Sequence, residues 1–142
     1  MSFDLFINFD GNCREAAEFY AKVFQSEVQR LMTYSDAPPD PDYATPEADR
    51  NRIMYCQVPI FGHNVMFSDC PSGMEFIQGN NICPTLGTGD KDEIRRLFAA
   101  LAEGGEEDME LQQTFWSELY GMVTDKYGVT WQLSYAAEQS TD

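Results

Sequence analysis

A chain of 142 residues, 43% apolar and 13% aromatic, holds enough hydrophobic mass for one sizeable core and too little for several large domains. Its 9 basic and 24 acidic residues leave a formal charge of −15, which repels phosphate backbones and anionic lipid and argues against nucleic acid or membrane as partners. No run approaches the length of a membrane span, and Met1-Ser2-Phe3-Asp4 lacks the basic start and apolar stretch of a signal peptide, so a cytoplasmic location is expected.

In chain order, Phe3 to Phe9 is predicted as a strand, because Leu5, Ile7 and Phe9 alternate with Phe6 and Asn8. Asp10-Gly11 turns the chain. Asn12 is expected to accept a hydrogen bond from the first helical turn while Glu15 reaches back, and Ala16, Phe19, Tyr20, Val23 and Phe24 recur at helical spacing as one apolar stripe. Glu27 to Tyr34 reads as a second strand. Asp36 to Arg50 sets Pro38, Pro39, Pro41 and Pro46 among acids, a composition that can hold neither helix nor ladder, so a long loop is predicted. Arg52 to Ile60 and Asn64 to Ser68 form a hairpin around Phe61-Gly62-His63, and Pro71 to Gly79 is a connector. Asn81 to Leu86 is the next strand. Asp90 caps a helix with Glu93 three residues later; Ile94, Leu97, Phe98 and Leu101 make its stripe, and Gly104-Gly105 ends it. Glu107 to Gln112, Glu118 to Thr124 and Val129 to Tyr135 follow as strands, the last two joined by Asp125-Lys126-Tyr127-Gly128.

The pattern is written twice. Asn12, Glu15, Ala16, Phe19, Tyr20 and Val23 recur 78 positions on as Asp90, Glu93, Ile94, Leu97, Phe98 and Leu101; nearer the end of each copy the shift falls to 66, pairing Gly62 with Gly128, Met66 with Gln132 and Ser68 with Ser134. The first copy therefore carries about 12 extra residues, which fit in the Asp36 to Arg50 loop. Each copy reads β-α-β-β-β, giving an α+β class. One domain is expected over 1–136, with a module at 3–69, a connector at 70–79, a second module at 80–136 and a polar tail at 137–142. The acids cluster in Asp36 to Asp49 and Glu103 to Glu110, which reads first as solvated surface and second as attraction for a cationic small molecule. Cys13, Cys56, Cys70 and Cys83 form no Cys-x-x-Cys pair, so reduced thiols are expected rather than disulfides or a zinc knuckle.

Phe6-Ile7-Asn8-Phe9-Asp10-Gly11-Asn12-Cys13-Arg14-Glu15-Ala16-Ala17-Glu18-Phe19-Tyr20, Gly62-His63-Asn64-Val65-Met66-Phe67-Ser68-Asp69, and Thr114-Phe115-Trp116 through Asp125-Lys126-Tyr127-Gly128-Val129-Thr130-Trp131 carry a likeness. Together they resemble the PhnB-like branch of the glyoxalase/bleomycin-resistance/dioxygenase superfamily, also called vicinal oxygen chelate. The resemblance runs from Phe3 to Tyr135 and is specific in combination rather than in any single piece. It implies two β-α-β-β-β modules forming a curved mixed sheet around a cavity, within a homodimer. Metal-using members hold a divalent ion with His and Glu side chains from the first and last strands of each module. Carried onto this chain, those four slots fall near Leu5, Met66, Cys83 and Gln132, to within about one residue for the first and third. None is an imidazole or a carboxylate, so no metal and no cofactor are expected.

The remaining chemistry-bearing residues have bland readings. His63, the sole histidine, follows Gly62 in a hairpin and reads as a surface imidazole, with general base as the alternative. Asp69 and Asp125 end strands beside turns, where carboxylates bond to backbone amides. Cys83 reads as a half-buried filler, with a reactive thiol as the alternative. Asp10-Gly11-Asn12 lacks the glycines and lysine of a phosphate loop. If Gln132 faces the cavity as the family's slot does, alternation adds Thr130 and Ser134 and turns Trp131 and Leu133 toward a helix; Met66 likewise brings Asn64 and Ser68. Phe115 and Trp116 either close the cavity mouth or pack in a core or dimer interface. The expected ligand site is thus Asn64, Met66, Ser68, Cys83, Phe115, Trp116, Thr130 and Gln132, with no catalytic residue assigned. Three functions stay open: a metal-free binder of a small organic molecule, a superfamily lyase, isomerase, dioxygenase or thiol transferase with an atypical metal site, and an interaction protein with a filled interior.

Overall fold

The computed structural model describes residues 1–137; of the polar tail expected at 137–142, residues 138–142 lie outside them. The chain divides into two compact units, Met1–Ile77 and Gln78–Asp142. In the first, β1 (Phe6–Phe9) leads to α1 (Cys13–Val23), then β2 (Gln29–Thr33), β3 (Ile53–Ile60) and β4 (His63–Asp69). The second repeats the order with β5 (Thr85–Thr88), α2 (Lys91–Ala102), β6 (Glu106–Gln112), β7 (Tyr120–Thr124) and β8 (Thr130–Tyr135). Each unit holds one open four-stranded mixed sheet, ordered β1-β4-β3-β2 and β5-β8-β7-β6. The first and last strands of each unit pair in parallel and the other neighbours pair antiparallel. This is the expected α+β class, with the strand ladders of the anticipated single curved sheet distributed over two open sheets. Among the described residues no helix is long and apolar enough to cross a membrane.

Burial follows the stripes. Cys13, Ala16, Ala17, Tyr20 and Val23 of α1 are buried, as are Phe9, Cys56, Val58 and Phe67 of the sheet beneath it. Small alanines let the helix approach closely, and Tyr20 stacks on Phe67 with ring centroids 5.5 Å apart. The stripe is therefore centred on Cys13, Ala16, Ala17 and Tyr20, while Phe19 and Phe24 sit half-buried at its flanks. In the second unit Ile94, Leu97, Phe98 and Leu101 pack on Val123, Trp131 and Leu133. Gly121 makes this possible, because a Cβ there would stand 2.9 Å from the Phe98 ring.

The two helices start differently. Asp90 has extended backbone (φ −111°, ψ 105°), and its Oδ1 accepts from the amides of Asp92 and Glu93 as expected. Asn12, at φ −110° and ψ 20°, lies outside that backbone region and makes no side-chain cap bond. The anticipated Asn12–Glu15 capping box is thus absent. Asp69, at the end of β4, takes its place: Oδ1 accepts from Gly11 N at 2.8 Å and Cys13 N at 2.9 Å, and Oδ2 from Ile53 N at 2.9 Å. Asp125 in the second unit binds the Tyr127 and Val129 amides and the Trp131 indole. Both carboxylates therefore play the structural role read from their positions.

Strand ends differ from expectation for local reasons. The predicted strand Asn81 to Leu86 is displaced to Thr85–Thr88, because Pro84 brings no N–H to the ladder and only its carbonyl engages, accepting from Gln132 N. Residues 3–5 lie outside β1, and Phe3 is fully exposed. His63 is the first residue of β4 rather than a turn residue, opposite Ile60; the turn itself is Phe61-Gly62, both at positive φ, the geometry of a two-residue type I′ hairpin. The 12-residue excess of the first copy lies where expected: residues 34–52 join β2 to β3, against 113–119 between β6 and β7. Asp49 anchors that longer connection from a buried position, accepting from Ser72 N and facing Arg52, which also bonds Asp10 and the Cys70 carbonyl.

Candidate functional site

In the second unit, alternation assigns the two sheet faces. Gly121, Val123, Trp131 and Leu133 turn to α2, which leaves Tyr120, Met122 and Thr124 of β7 beside Ser134, Gln132 and Thr130 of β8, paired in that order across the ladder. The Tyr120 hydroxyl donates to Gln132 Oε1 at 2.7 Å. Burial, and then the neighbouring Cys83, raise the Tyr120 phenol above its ordinary pKa, so it stays a donor through neutral pH. Trp116 packs edge-on against Tyr120 at 5.2 Å, and Phe115 against Trp116 at 4.9 Å, extending this surface as an aromatic ladder.

At the other end of the same face lies a groove of about 580 Å³. Its walls are Thr124 and Thr130 of the central strands, Met122, Asp108 of β6, and the 78–80 segment that opens the unit. Asp108 Oδ2 accepts from the Thr124 hydroxyl, and the Thr124 and Thr130 hydroxyls are 2.9 Å apart. Gln78 donates through Nε2 to the Tyr127 carbonyl at 2.9 Å, its amide lying over Gly128 where any Cβ would collide. Gly128 also has φ +86°, so the turn and the close approach both require glycine.

The residues expected at the site are distributed as follows. Thr130 lines the groove and Gln132 lies two residues along the same face. Ser134 continues that face and bonds Ser117. Cys83 precedes β5, half-buried, with Sγ 3.7 Å from the Asn80 carbonyl. Phe115 and Trp116 stand 98% and 56% exposed, so neither packs in the unit's core. Asn64, Met66 and Ser68 belong to the first unit, on the face of β4 opposite Val65 and Phe67; Met66 lies between Phe6 and Gln57 in register, and Ser68 donates to Asn8. The sequence reading missed Asp108, Met122, Thr124 and the 78–80 segment. Alternation, applied to β8, would have found Met122 and Thr124 on β7, whereas Asp108 and Gln78 carry no such local signal.

In the ladders Met66 pairs with Phe6 and Gln132 with Thr85, one and two residues along from Leu5 and Cys83. The strand-to-helix turn is one residue shorter in the second unit, which shifts β5 against α2. Within the first unit Phe6 and Met66, and within the second Thr85 and Gln132, supply no imidazole and no carboxylate, so neither pair offers the donors a divalent ion prefers. Among the described residues no three His, Cys, Asp or Glu side chains converge into an alternative set.

Comparison with known proteins agrees with this architecture. The family described as 3-demethylubiquinone-9 3-methyltransferase matches residues 2–134. Protein YjdN of Escherichia coli K12 is 29% identical over 143 residues, covering 96% of each chain. The crystal structure of PA1353 from Pseudomonas aeruginosa has 29% identity and a TM-score of 0.84, covering 97% of this chain and 99% of that one. The PhnB protein from Bacillus cereus has 26% identity and a TM-score of 0.78, covering 96% and 100%. A glyoxalase/bleomycin resistance protein/dioxygenase from Alicyclobacillus acidocaldarius, 15% identical with a TM-score of 0.55 over 97% and 92% of the chains, shares the fold. The chain belongs to the PhnB-like family described as 3-demethylubiquinone-9 3-methyltransferase.

Proposed function

We propose that the protein binds a small organic molecule in the groove beside Thr130, without a divalent metal ion. The observation that carries this reading is the groove itself. Its volume of about 580 Å³ falls in the range of roughly 300–1,000 Å³ usual for small-ligand sites, and a hydroxyl pair, an amide and a carboxylate converge around Met122. Thr85 and Gln132 on the same sheet supply no imidazole and no carboxylate, which supports a metal-free mode of binding. The exposed rings of Phe115 and Trp116, with Ile82 at 76% exposure, support association with a second copy of the chain, which light scattering tests.

A thermal-shift screen followed by amide NMR tests the binding reading. Ligands are expected to move the resonances of Asp108, Met122, Thr124 and Thr130; a broad screen with no ligand that moves them sinks the proposal. The family's description supports a second reading, methyl transfer. Such a reaction needs an acceptor for the substrate hydroxyl's proton, and Asp108 is the carboxylate placed on the groove. Catechol-dependent consumption of S-adenosylmethionine, abolished by Asp108→Asn, would favour it over simple binding.

A further inference from the structure

The hydrogen bonds on the groove wall have directions that the donors and acceptors leave no freedom to reverse. A carboxylate only accepts, so Thr124 donates its single proton to Asp108 Oδ2. With that proton committed, the contact between the hydroxyls of Thr124 and Thr130 requires Thr130 to donate to Thr124. Thr130 Oγ1 then meets a ligand with lone pairs alone. A carbonyl also only accepts, so the bond from Gln78 to Tyr127 fixes the amide with Nε2 on the backbone and leaves Oε1 as the acceptor end. Three elements thus contribute acceptors to one wall: β6 through Asp108, β8 through Thr130, and the 78–80 segment through Gln78. None of the described groove-lining residues is basic.

The acceptors of Asp108, Thr130 and Gln78 outnumber the amide donors left on Asn80 and on Gln78 Nε2, and with the carboxylate among them they complement a ligand group that has several N–H donors and a positive charge. Resting on the binding reading above, we infer that the groove takes an organic cation through an ammonium, amidinium or guanidinium head, seated on Asp108, Thr130 and Gln78, with Met122 against its apolar body. A neutral amide meets this wall with its carbonyl facing acceptors, and a carboxylate meets like charge. The rest of β6 reinforces the preference, because Glu106, Glu107 and Glu110 share the strand with Asp108 and the whole chain carries −15, a field that attracts cations over a distance.

The test uses three probes of nearly one shape and three charges: benzamidine, benzamide and benzoate, titrated into isotopically labelled full-length protein. Benzamidine is expected to move the Asp108, Thr124 and Thr130 amides while benzamide and benzoate leave them in place. Asp108→Asn places donors on the acceptor wall and removes its charge, and is expected to weaken benzamidine roughly tenfold or more. Thr130→Val, which removes only lone pairs, is expected to weaken it by a smaller factor. Glu15→Gln, an exposed carboxylate on α1, is expected to change nothing. Equal binding of benzamide and benzamidine in the groove overturns the cation assignment, as does a loss with Glu15→Gln equal to that with Asp108→Asn. If benzamidine is silent while another compound occupies the groove, the cation class falls and the binding reading stands. If no compound of any charge perturbs the groove, both fall.

Discussion

Replacing Asp69 with Asn tests the reasoning about the start of α1. The carboxylate is 1% exposed and accepts three backbone N–H groups, two at the turn into α1 and one from Ile53 at the start of β3. An asparagine keeps one oxygen. If that oxygen stays on Gly11 and Cys13, the new NH₂ group faces the Ile53 amide at the former Oδ2 position, where the bond measured 2.9 Å. One charge-assisted bond worth about 1.5–3 kcal/mol is lost, and buried donors are left facing each other at a cost of about 1–3 kcal/mol. The negative charge at the N-terminal end of the helix dipole disappears as well. A loss of roughly 3–5 kcal/mol is expected, a large part of the total stability of a small protein. With a urea m-value of about 1–3 kcal/mol per molar, the midpoint falls by roughly 1–5 M. Urea melts followed by far-ultraviolet circular dichroism give the loss, and hydrogen exchange at Gly11, Cys13 and Ile53 locates it. Asn12→Ala, by contrast, should stay within about 0.5 kcal/mol, because the removed side chain made no cap bond. An Asp69→Asn protein within about 1 kcal/mol of the parent, or an Asn12→Ala protein that loses as much as a true cap, would refute the assignment.

Two further outcomes follow from the chemistry of single groups. Hydrogen bonding to Arg96 holds the Glu93 carboxyl below its ordinary pKa, so the pair's contribution is present above the unfolded-state value near 4.3 and is lost as pH falls through the folded value. Both side chains are about a third exposed, so Glu93→Gln should cost only about 0.3–0.5 kcal/mol at pH 7, with the difference from the parent shrinking as the carboxylate protonates in acid; an undiminished gap in acid would contradict the pairing. Cys13 and Cys56 are fully buried with their sulfurs 4.0 Å apart, whereas Cys70 and Cys83 are half-buried. An aromatic disulfide reagent should therefore label Cys70 and Cys83 in the native protein and all four thiols in guanidinium, and rapid native labelling of Cys13 or Cys56 would count against the described packing.

Much of the architecture was legible because it is local. Ile94, Leu97, Phe98 and Leu101 define α2 by spacing alone, and Asp90 caps it within three residues of chain. The Phe61-Gly62 turn and the alternation along β8 are equally short-range. The duplication extended this reach by tying Met66 to Gln132, and the ladder places both at matching positions beside Phe6 and Thr85. The candidate site was only partly legible. Thr130 and Gln132 could be assigned to a face by alternation on one strand, but the groove is completed by Asp108 on an edge strand and by Gln78, bonded to a carbonyl 49 residues away.

The sequence alone determined two β-α-β-β-β copies, which face of each helix is apolar, where the extra loop sits, and the shortage of metal donors at the expected slots. Those features depend on neighbours a few residues apart or on comparison of one copy with the other. Tertiary structure decided which carboxylate caps α1, where the parallel strands register, and which polar groups meet around a groove. Asp69 reaches Cys13 across 56 residues and Asp108 meets Thr124 across 16. Such partners are chosen by the packing of helix on sheet and by the ladder, because a buried N–H takes whichever acceptor the fold delivers and not the nearest one in the chain.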